Sequence, residues 1–499
     1  MGTLNTKIIF RFLGITAVLN GFFMFIAFPF SHFYNESVKW GILNSGIITV
    51  FIGSLLYFSN KPTNTSIQKK EGYLIVTLGW LTLSLTGMLP YLLSGEIPNI
   101  TDAFFETISG YSTTGSSILT DIESMPKGIL FWRSITHWIG GMGIIVLTIA
   151  ILPLLGIGGM QLFMAEAPGP SADKLHPRIT DTAKRLYLIY VVLTLVEFLL
   201  LKLAGMTWFD AINHAMSTVS TGGFSTKNAS MAHYNHLPFV QYIVIFFMMV
   251  AGTNFVLTYF ALKGKIQKVF QSEEFKYYIL GIIGVSAIVT IIILFFQDPD
   301  LHTSIQHPKV YGENESAIRH ALFQVTSVIT TTGFVSADFT QWSFFATGIF
   351  FALFFTGGSA GSTSGGIKVM RHIVMLKNSF LEFKKALHPN AIIPVRYDGK
   401  AINHTIVLNI ISFFIIYMLI FIMASVTLTL LGLDFETALG AAASSLGNIG
   451  PAIGKVSPVD NFAHLSGAAK WFCSFLMLIG RLELFTVLIL FTPFFWRKN

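Results

Sequence analysis

The sequence contains little charge and almost no cysteine. Asp, Glu, Lys and Arg make up 11% of its 499 residues, whereas about a quarter is typical of a soluble domain. Charged residues are therefore too few to cover the surface of several soluble domains. The single cysteine, Cys473, excludes an intrachain disulfide framework and any CxxC zinc or redox site.

Long apolar stretches are abundant instead. Hydrophobic residues account for 53% of the chain and include 48 Phe. A membrane-spanning helix needs about 20 mostly apolar residues. Such stretches lie near 8–30, 38–58, 73–94, 129–155, 186–205, 238–262, 276–297, 344–378 (interrupted), 404–432 and 469–495. The first is too long for the core of a cleavable signal peptide and is followed by a second span. The sequence thus predicts an all-α polytopic membrane protein.

The few charges divide between the two sides of the membrane. With the N-terminus in the cytoplasm, Lys and Arg outnumber Asp and Glu in the inner segments, while acidic residues predominate outside. The positive-inside rule supports this orientation, with both termini cytoplasmic. The net charge of +7 then reflects topology, and no nucleic-acid partner is needed to explain it. Two interpretations stay open for the outer acidic residues: they concentrate cations at the outer mouth, or they keep the outer loops soluble.

Four short segments containing Gly recur at near-equal intervals. Each follows a half-polar helical stretch that is too short to cross a bilayer, and each lies between two full spans. The short helices are expected near 101–113, 208–220, 316–331 and 434–445. One Ser/Thr-Gly turn would indicate only a cap or tight turn, but four at equivalent places predict a tandem repeat. We expect an N-terminal two-helix addition over 1–70 and pore repeats over 71–170, 171–270, 271–385 and 386–499.

The residue types of these segments indicate what the loops do. Non-helical backbone at membrane depth is tolerated only where protein shields it or where it lines a water-filled path. Glycine permits φ values that turn successive carbonyls toward one axis. Four such loops around a pseudo-fourfold axis would form rings of carbonyl oxygens that replace the hydration shell of a monovalent cation. The short helices would point their negative C-terminal ends at the same axis.

The repeated loops and the order of the spans resemble the Trk/Ktr/HKT superfamily of potassium transporters, most closely its TrkH-type members with two extra N-terminal helices. The resemblance covers essentially the whole sequence. It implies four tandem helix–pore-loop–helix repeats around a pseudo-fourfold pore, and potassium uptake across the bacterial plasma (inner) membrane. K⁺ would be the transported ion, with no tightly bound cofactor. It also implies a homodimer and a cytosolic TrkA-like nucleotide-binding regulatory subunit, for which this chain contains no domain.

By motif, the resemblance assigns the K⁺-binding selectivity filter to four residues of each loop. The filter glycines would be Gly115, Gly222, Gly333 and Gly447. Gly115 implies potassium preference, because Ser at the first-repeat glycine accompanies sodium preference in the plant branch. The fourth loop departs from the Thr-x-Gly pattern, since Leu446 precedes its glycine. The filter residues so assigned are Thr113, Thr114, Gly115, Ser116, Ser220, Thr221, Gly222, Gly223, Thr331, Thr332, Gly333, Phe334, Ser445, Leu446, Gly447 and Asn448.

The eighth span is interrupted by five glycines between Thr356 and Gly366. Each destabilises a helix by about 1 kcal/mol relative to Ala, so no regular helix is expected. A phosphate-binding loop is not supported because no Gly-Lys-Ser/Thr follows, and the flanking apolar runs disfavour an exposed linker. We favour a flexible loop below the filter that blocks or opens the path, as family members have a gating loop at this place. Its glycines are Gly357, Gly358, Gly361, Gly365 and Gly366.

Arg481 lies inside the last span, in a Gly-Arg-Leu-Glu motif that resembles the same family. An arginine at mid-membrane costs at least about 2.5–3.5 kcal/mol unless it is paired or faces water. One interpretation is a structural ion pair with Glu483, although residues two apart point to different helix faces. The other is a positive barrier below the filter that contacts the glycine-rich loop.

Other classes of protein fit less well. A secondary transporter for an organic solute would use broken helices within two large inverted repeats, whereas these loops recur four times in one orientation. An enzyme would need catalytic carboxylates, His or Ser grouped within the membrane, and the few intramembrane charges do not supply them. A less selective K⁺/Na⁺ transporter of the same fold stays open. So does the choice between passive flow and coupling to protons or sodium.

Overall fold

The computed structural model describes residues 4–62, 68–146, 179–296, 305, 307–391 and 393–497. Its regular structure is helical apart from one short antiparallel hairpin. Two long helices, α1 (Thr6–Phe33) and α2 (Lys39–Ser59), pack against each other at the N-terminus. Their backbones approach closely because glycines face each other: a Cβ added to Gly14 would lie 2.7 Å from the carbonyl oxygen of Gly53. Such small-residue packing is typical of membrane helices.

The remaining helices form four sets. The first contains α3 (Lys69–Gly87), α4 (Leu89–Ser94), α5 (Ile100–Tyr111) and α6 (Lys127–Val146). The second contains α7 (Ile179–Leu203), α8 (Trp208–Val219), α9 (Pro238–Ala251), α10 (Phe255–Leu262) and α11 (Ile266–Gln271). The third contains α12 (Glu273–Phe295), α13 (Glu313–Ile329), α14 (Phe344–Leu353) and α15 (Val369–Leu387). After the hairpin of β1 (Arg396–Tyr397) and β2 (Lys400–Ala401), the fourth contains α16 (His404–Leu430), α17 (Phe435–Gly447), α18 (Gly467–Arg481), α19 (Leu484–Leu488) and α20 (Pro493–Trp496).

The four predicted short helices are confirmed as α5, α8, α13 and α17. Polar caps start three of them: the side chains of Asn99, Thr207 and Asp434 accept hydrogen bonds from first-turn N–H groups. All four carry an acidic residue in the first turn, where the helix dipole favours negative charge. Their last turns are buried in the protein. Each short helix therefore places its charged N-terminal end toward the surface of the protein and directs its C-terminal carbonyls into the interior.

The predicted membrane spans are mostly confirmed. Among the described residues, six helices are long and apolar enough to cross a membrane, and two bent helix pairs raise the number to eight. The span predicted over 129–155 begins as α6, and its part beyond residue 146 lies outside the described residues. The interrupted eighth span is present as α14, an irregular segment and α15. Outward-facing residues such as Phe51, Leu280 and Met423 are more than 60% exposed, as expected of lipid-facing surface.

Two spans predicted as continuous are bent, so that part of the prediction is wrong. Helices α9 and α10 meet at 109°, and α18 and the segment Leu484–Phe491 meet at 115°. In the first pair, the side chain of Asn254 accepts a hydrogen bond from the N–H of Val256 at 2.8 Å. This cap starts α10 as a new helix in a new direction. In the second pair Glu483 has φ 55°, a left-handed conformation that cannot continue an α-helix.

Candidate functional site

Each short helix is followed by a loop with the same backbone conformation. The first loop residue is left-handed, with φ between 51° and 54°: Thr113, Thr221, Thr331 and Asn448. Two residues later a glycine is also left-handed, with φ between 77° and 103°: Gly115, Gly223, Gly333 and Gly450. The first to fourth loops are accordingly residues 113–116, 221–224, 331–334 and 448–451. Their common dihedral pattern identifies equivalent positions independently of residue type.

The hydrogen bonding of the loops repeats as well. In every loop, the residue before the left-handed glycine donates its N–H to the carbonyl oxygen of a serine five positions earlier, at 2.8–3.0 Å. The pairs are Thr114 with Ser109, Gly222 with Ser217, Thr332 with Ser327 and Ile449 with Ser444. This bond ties each loop to the last turns of its own helix, so the four loops are held in one shared geometry.

The four loops close into a ring. A Cβ added to Gly115 would lie 2.2 Å from the carbonyl oxygen of Gly222, and one added to Gly223 would lie 2.0 Å from that of Thr332. The third and fourth loops continue the series. A Cβ on Gly333 would lie 2.1 Å from the Ile449 oxygen, and one on Gly450 would lie 2.7 Å from the Thr114 oxygen. Since no side chain fits at these distances, glycine is required at all four positions.

We call the oxygens of these four facing groups the carbonyl ring; they belong to Thr114, Gly222, Thr332 and Ile449. One comes from each loop, and each belongs to the residue before a left-handed glycine. The C-terminal ends of α5, α8, α13 and α17 precede the same loops, so their negative dipole ends lie beside it. Backbone carbonyl rings of this kind are suited to dehydrated monovalent cations.

The ring corrects the register of two glycines chosen from the sequence. Gly222 lies in the second loop, but the residue equivalent to Gly115 is Gly223. Gly447 is the last residue of α17, preceded in the helix by Ser445 and Leu446, so its assigned equivalence with Gly115 is wrong. The Ala-rich helix continues until the left-handed Asn448 ends it. The Asn-x-Gly spacing of 448–450, which matches Thr-x-Gly at 113–115, is the signal that would have identified Gly450.

Side chains join neighbouring loops. Asn448 donates from Nδ2 to the hydroxyl of Thr114 and to the carbonyl oxygen of Met477, both at 2.9 Å. Ser116 donates from its hydroxyl to the carbonyl oxygen of Gly450 at 3.1 Å. The fourth loop departs most from the sequence pattern. It is bound to the first loop by one hydrogen bond that it donates and one that it accepts. The remaining loop residues assigned from the sequence, from Ser220 to Gly223 and from Thr331 to Phe334, lie in or directly before their loops.

The interruption between α14 and α15, residues 356–366, is a largely buried loop, which we call the glycine-rich loop. It closes on itself, because the Gly357 N–H donates to the Ile367 carbonyl oxygen (2.8 Å). It also contacts the break between α9 and α10. The Ser359 N–H donates to the Gly252 oxygen (2.8 Å), and the Gly361 oxygen accepts from the Phe255 N–H (3.1 Å). Gly358 packs on Gly252, and Gly366 is left-handed with φ 67°.

Part of the glycine-rich loop covers the base of the four-loop ring. The Gly365 N–H donates to the Thr331 hydroxyl at 2.6 Å. The Thr363 hydroxyl donates to the carbonyl oxygen of Val219 at 3.1 Å. A Cβ added to Gly365 would lie 2.7 Å from the carbonyl oxygen of Gly447. Because Val219 and Gly447 end their helices, residues 363–365 lie on the side of the ring where the short helices end.

Arg481 holds this segment in place. The side chain is 2% exposed. Its Nη1 donates to the carbonyl oxygen of Thr363 (2.7 Å) and its Nη2 to that of Gly140 in α6 (3.0 Å). The ion pair with Glu483 considered above is wrong, because the left-handed Glu483 turns toward α15 and pairs with Arg371 at 2.7 Å. Arg481 thus joins the first and fourth sets of helices to the glycine-rich loop through backbone carbonyls.

A buried ion pair behind the first two loops was not foreseen as part of the site. Arg133 in α6 pairs through Nε with Glu106 in α5 at 2.6 Å, and both are almost fully buried. Its Nη1 donates to the Ser225 carbonyl oxygen (2.9 Å), and its guanidinium carbon lies 3.5 Å from the centre of the Phe224 ring. Glu106 also accepts from the N–H of Ile118 (2.9 Å). The pair therefore connects the chain segments that follow the first and second loops.

These features define a polytopic helical membrane protein with four pore-loop repeats in one chain. The family model described as "TrkH: Cation transport protein" matches residues 38–498, and the chain belongs to this family, which consists of transporters and not enzymes. Within the described residues, no cluster of three or more His, Cys, Asp or Glu could hold a metal ion.

Two relatives and a solved structure match this chain over at least 99% of its length. The "Trk system potassium uptake protein TrkH" of Salmonella typhimurium is 38% identical over 499 residues, covering 99% of this chain and 100% of the relative. The "Trk system potassium uptake protein TrkG" of Escherichia coli is 33% identical over 502 residues, covering 100% of both chains. The crystal structure of the potassium transporter TrkH from Vibrio parahaemolyticus aligns with a TM-score of 0.88 and 35% identity, over 99% of this chain and 100% of that one.

Proposed function

We propose that this protein takes up potassium through the carbonyl ring, which acts as its selectivity filter. The observation that carries the proposal is the closed succession of four loops, in which each left-handed glycine faces the carbonyl of the next. Relatives aligned over the whole chain bear the name of potassium uptake proteins. K⁺ is the transported ion, and transport requires no cofactor held by this chain.

The ring favours K⁺ through the oxygens of Thr114, Gly222, Thr332 and Ile449. Carbonyl oxygens replace the hydration shell of the ion as it enters, and the C-terminal ends of the four short helices add negative potential. Two threonines and two other residues contribute backbone oxygens, so the change of side chain at Ile449 leaves its coordinating group intact. A less selective K⁺/Na⁺ transporter is the second candidate, because Asn448 stands at the position where the other three loops have threonine.

The glycine-rich loop is proposed as the gate, with Gly357, Gly358, Gly361, Gly365 and Gly366 as the residues that permit its movement. Residues 363–365 close the path on the inner side of the ring, and Arg481 adds positive charge there and anchors Thr363. Opening requires the Arg481 contacts with Thr363 and the Gly365 contact with Thr331 to break. Cations then no longer meet the positive barrier directly below the filter.

We further propose a bacterial inner-membrane location with both termini in the cytoplasm. The basic segments that precede α12 and follow the glycine-rich loop support this orientation by the positive-inside rule. They also offer a surface for a cytosolic TrkA-like regulatory subunit, and we expect the chain to form a homodimer. The relatives are named as parts of a Trk system, which supports a partner of this kind.

The test is rubidium tracer uptake into proteoliposomes of the purified protein, competed separately by K⁺ and Na⁺. A variant with residues 357–365 shortened is assayed in parallel, because a closed gate must not be mistaken for a missing pore. Competition by K⁺ alone supports the proposal. Equal competition by Na⁺ favours the less selective transporter, and no uptake by either protein contradicts a cation pore.

A further inference from the structure

Glu274 connects the glycine-rich loop to the N-terminal end of α12. It is the second residue of this helix and is 1% exposed. Its carboxylate accepts a hydrogen bond from the N–H of Ala360, with 2.7 Å between Oε1 and N. Ala360 lies at the centre of the glycine-rich loop. A side chain from the first helix of the same repeat thus holds the backbone of a segment that has few side chains of its own.

The start of α12 is in turn held by the hairpin of β1 and β2. The turn of this hairpin contains Asp398, with φ 46°, followed by Gly399, with φ 76°, as in the tight two-residue turns that favour Asp-Gly. The N–H of Glu273 donates to Oδ1 of Asp398 at 2.7 Å. Asp398 therefore binds Glu273, the first residue of α12, and Glu274, the second residue, binds the glycine-rich loop.

A third contact joins the hairpin to α15, which begins directly after the glycine-rich loop. Lys377 in α15 forms an ion pair with Glu273. Its Nζ also donates to the carbonyl oxygen of Arg396 at 2.9 Å. The hairpin accordingly contacts two helices that are joined to the loop: α12, which supplies Glu274, and α15, which continues the chain beyond residue 366.

We propose that Glu274 is a positioning residue for the gate, through which displacement of the hairpin changes the conformation of the glycine-rich loop. The inference rests on the proposed function of this loop as the gate. Glu274 fixes the closed loop at Ala360, and Asp398 fixes the helix end that carries Glu274. A partner that moves the hairpin on the inner surface thereby withdraws the carboxylate and frees the loop.

The position of Ala360 explains why one hydrogen bond matters. Its neighbour Ser359 is bound to the Gly252 carbonyl, and Gly365 is bound to the Thr331 hydroxyl. Those two contacts attach the loop to parts of the pore deep in the protein. Glu274 differs because its helix starts beside the hairpin, so it is placed to transmit a movement that starts outside the membrane.

The experiment compares Glu274→Ala and Glu274→Gln by rubidium uptake into proteoliposomes. Glu274→Ala removes the acceptor, and we expect uptake to rise several-fold while the ratio of K⁺ to Na⁺ competition is unchanged. Glu274→Gln keeps an oxygen acceptor and should restore most of the closed behaviour. The control is Glu382→Ala, which removes a carboxylate that pairs with Lys385 on the exposed part of α15; it should leave uptake unchanged.

Hydrogen exchange separates positioning of the gate from a general loss of stability. In Glu274→Ala, faster exchange should be confined to peptides covering residues 356–366 and the start of α12. A merely structural role would instead lower the unfolding midpoint and uptake together, with exchange raised throughout, and would overturn the inference. Should this variant fail to fold, Asp398→Ala takes its place, because it breaks the contact one step earlier and should also raise uptake.

The shortened glycine-rich loop distinguishes failure of the inference from failure of the gate. If shortening residues 357–365 raises uptake and neither Glu274→Ala nor Asp398→Ala does, the positioning role is wrong and the gate stands. If no variant changes uptake, both are wrong. If the inference is correct, Glu274→Ala adds nothing in the shortened background, because both changes act on the same element.

Discussion

Gly450 faces Thr114 across the junction between the last and the first repeat: a Cβ on Gly450 would lie 2.7 Å from the Thr114 carbonyl oxygen. This contact closes the circle of loops, since the other three junctions repeat it between successive repeats. A chain with four repeats can thus build the closed arrangement that four separate subunits would otherwise form. Its repeats are free to differ in side chain, as Asn448 and Ile449 do, while the backbone geometry is kept.

Gly223→Ser should weaken the preference for K⁺. Any Cβ at this position would lie 2.0 Å from the Thr332 oxygen, so the second and third loops must separate. We expect the preference over Na⁺ to fall by about tenfold, which corresponds to about 1.4 kcal/mol. Tracer uptake with K⁺ and Na⁺ competition measures it.

The matched control for that variant is Gly432→Ser. Gly432 is also left-handed, with φ 99°, but nothing lies within 4 Å of an added Cβ. Gly432→Ser therefore introduces backbone strain of the same kind but disturbs no contact between loops. Equal loss of selectivity in both variants would show that strain, and not the ring, is responsible.

Arg481→Ala should raise the rate of uptake. The substitution removes the guanidinium bonds to Thr363 and Gly140 and the positive charge below the ring. We expect a several-fold increase for Ala and a smaller one for Lys, which keeps the charge but cannot span both carbonyls. Selectivity should not change, because the four loops are intact. Unchanged uptake in a folded Arg481→Ala protein would contradict the barrier.

Glu106→Ala should strongly destabilise the protein. It leaves Arg133 buried without its carboxylate partner, and breaking a buried ion pair in this way costs about 3–5 kcal/mol. The exposed pair of Lys309 and Glu313 has a similar separation, 2.7 Å against 2.6 Å, but exposed fractions of 59% and 68%, so Glu313→Ala should cost about 0.3–0.5 kcal/mol. Thermal unfolding in detergent compares the two. Equal unfolding midpoints of the two variants would mean that the buried Glu106 pair stabilises the protein no more than the exposed pair does.

The sequence was sufficient to predict the features that depend on local pattern. Apolar length predicted most of the spans, and the half-polar stretches at 101–113 and 434–445 predicted short helices where the structure has them. The Thr-x-Gly pattern identified Gly115 and Gly333, which the structure places at the contacts between loops; their role in the filter stays a prediction. These features succeed because hydrophobicity and glycine conformation act within a few residues of chain.

Other features depend on contacts between distant segments, which the sequence does not encode locally. Gly222 and Gly223 are both permissive, and only the approach of the Thr332 carbonyl decides which one must be glycine. Gly447 resembled a loop glycine because it follows a short helix at nearly the same spacing as the other three, although it ends that helix. Contact of Arg481 with the glycine-rich loop was one of the two interpretations of the sequence. Its partners are backbone carbonyls, which carry no residue signature, so Gly140 and Thr363 themselves could not be predicted.

The most direct measurement is the location of the ion itself. Crystals of the protein grown with Rb⁺ in place of K⁺ would reveal bound ions by anomalous scattering. We predict a peak on the central axis, within coordinating distance of the carbonyl oxygens of Thr114, Gly222, Thr332 and Ile449, which is weakened by added K⁺ and not by added Na⁺. Rb⁺ bound elsewhere along the path, with no peak at these four oxygens, would contradict the assignment of the carbonyl ring as the filter.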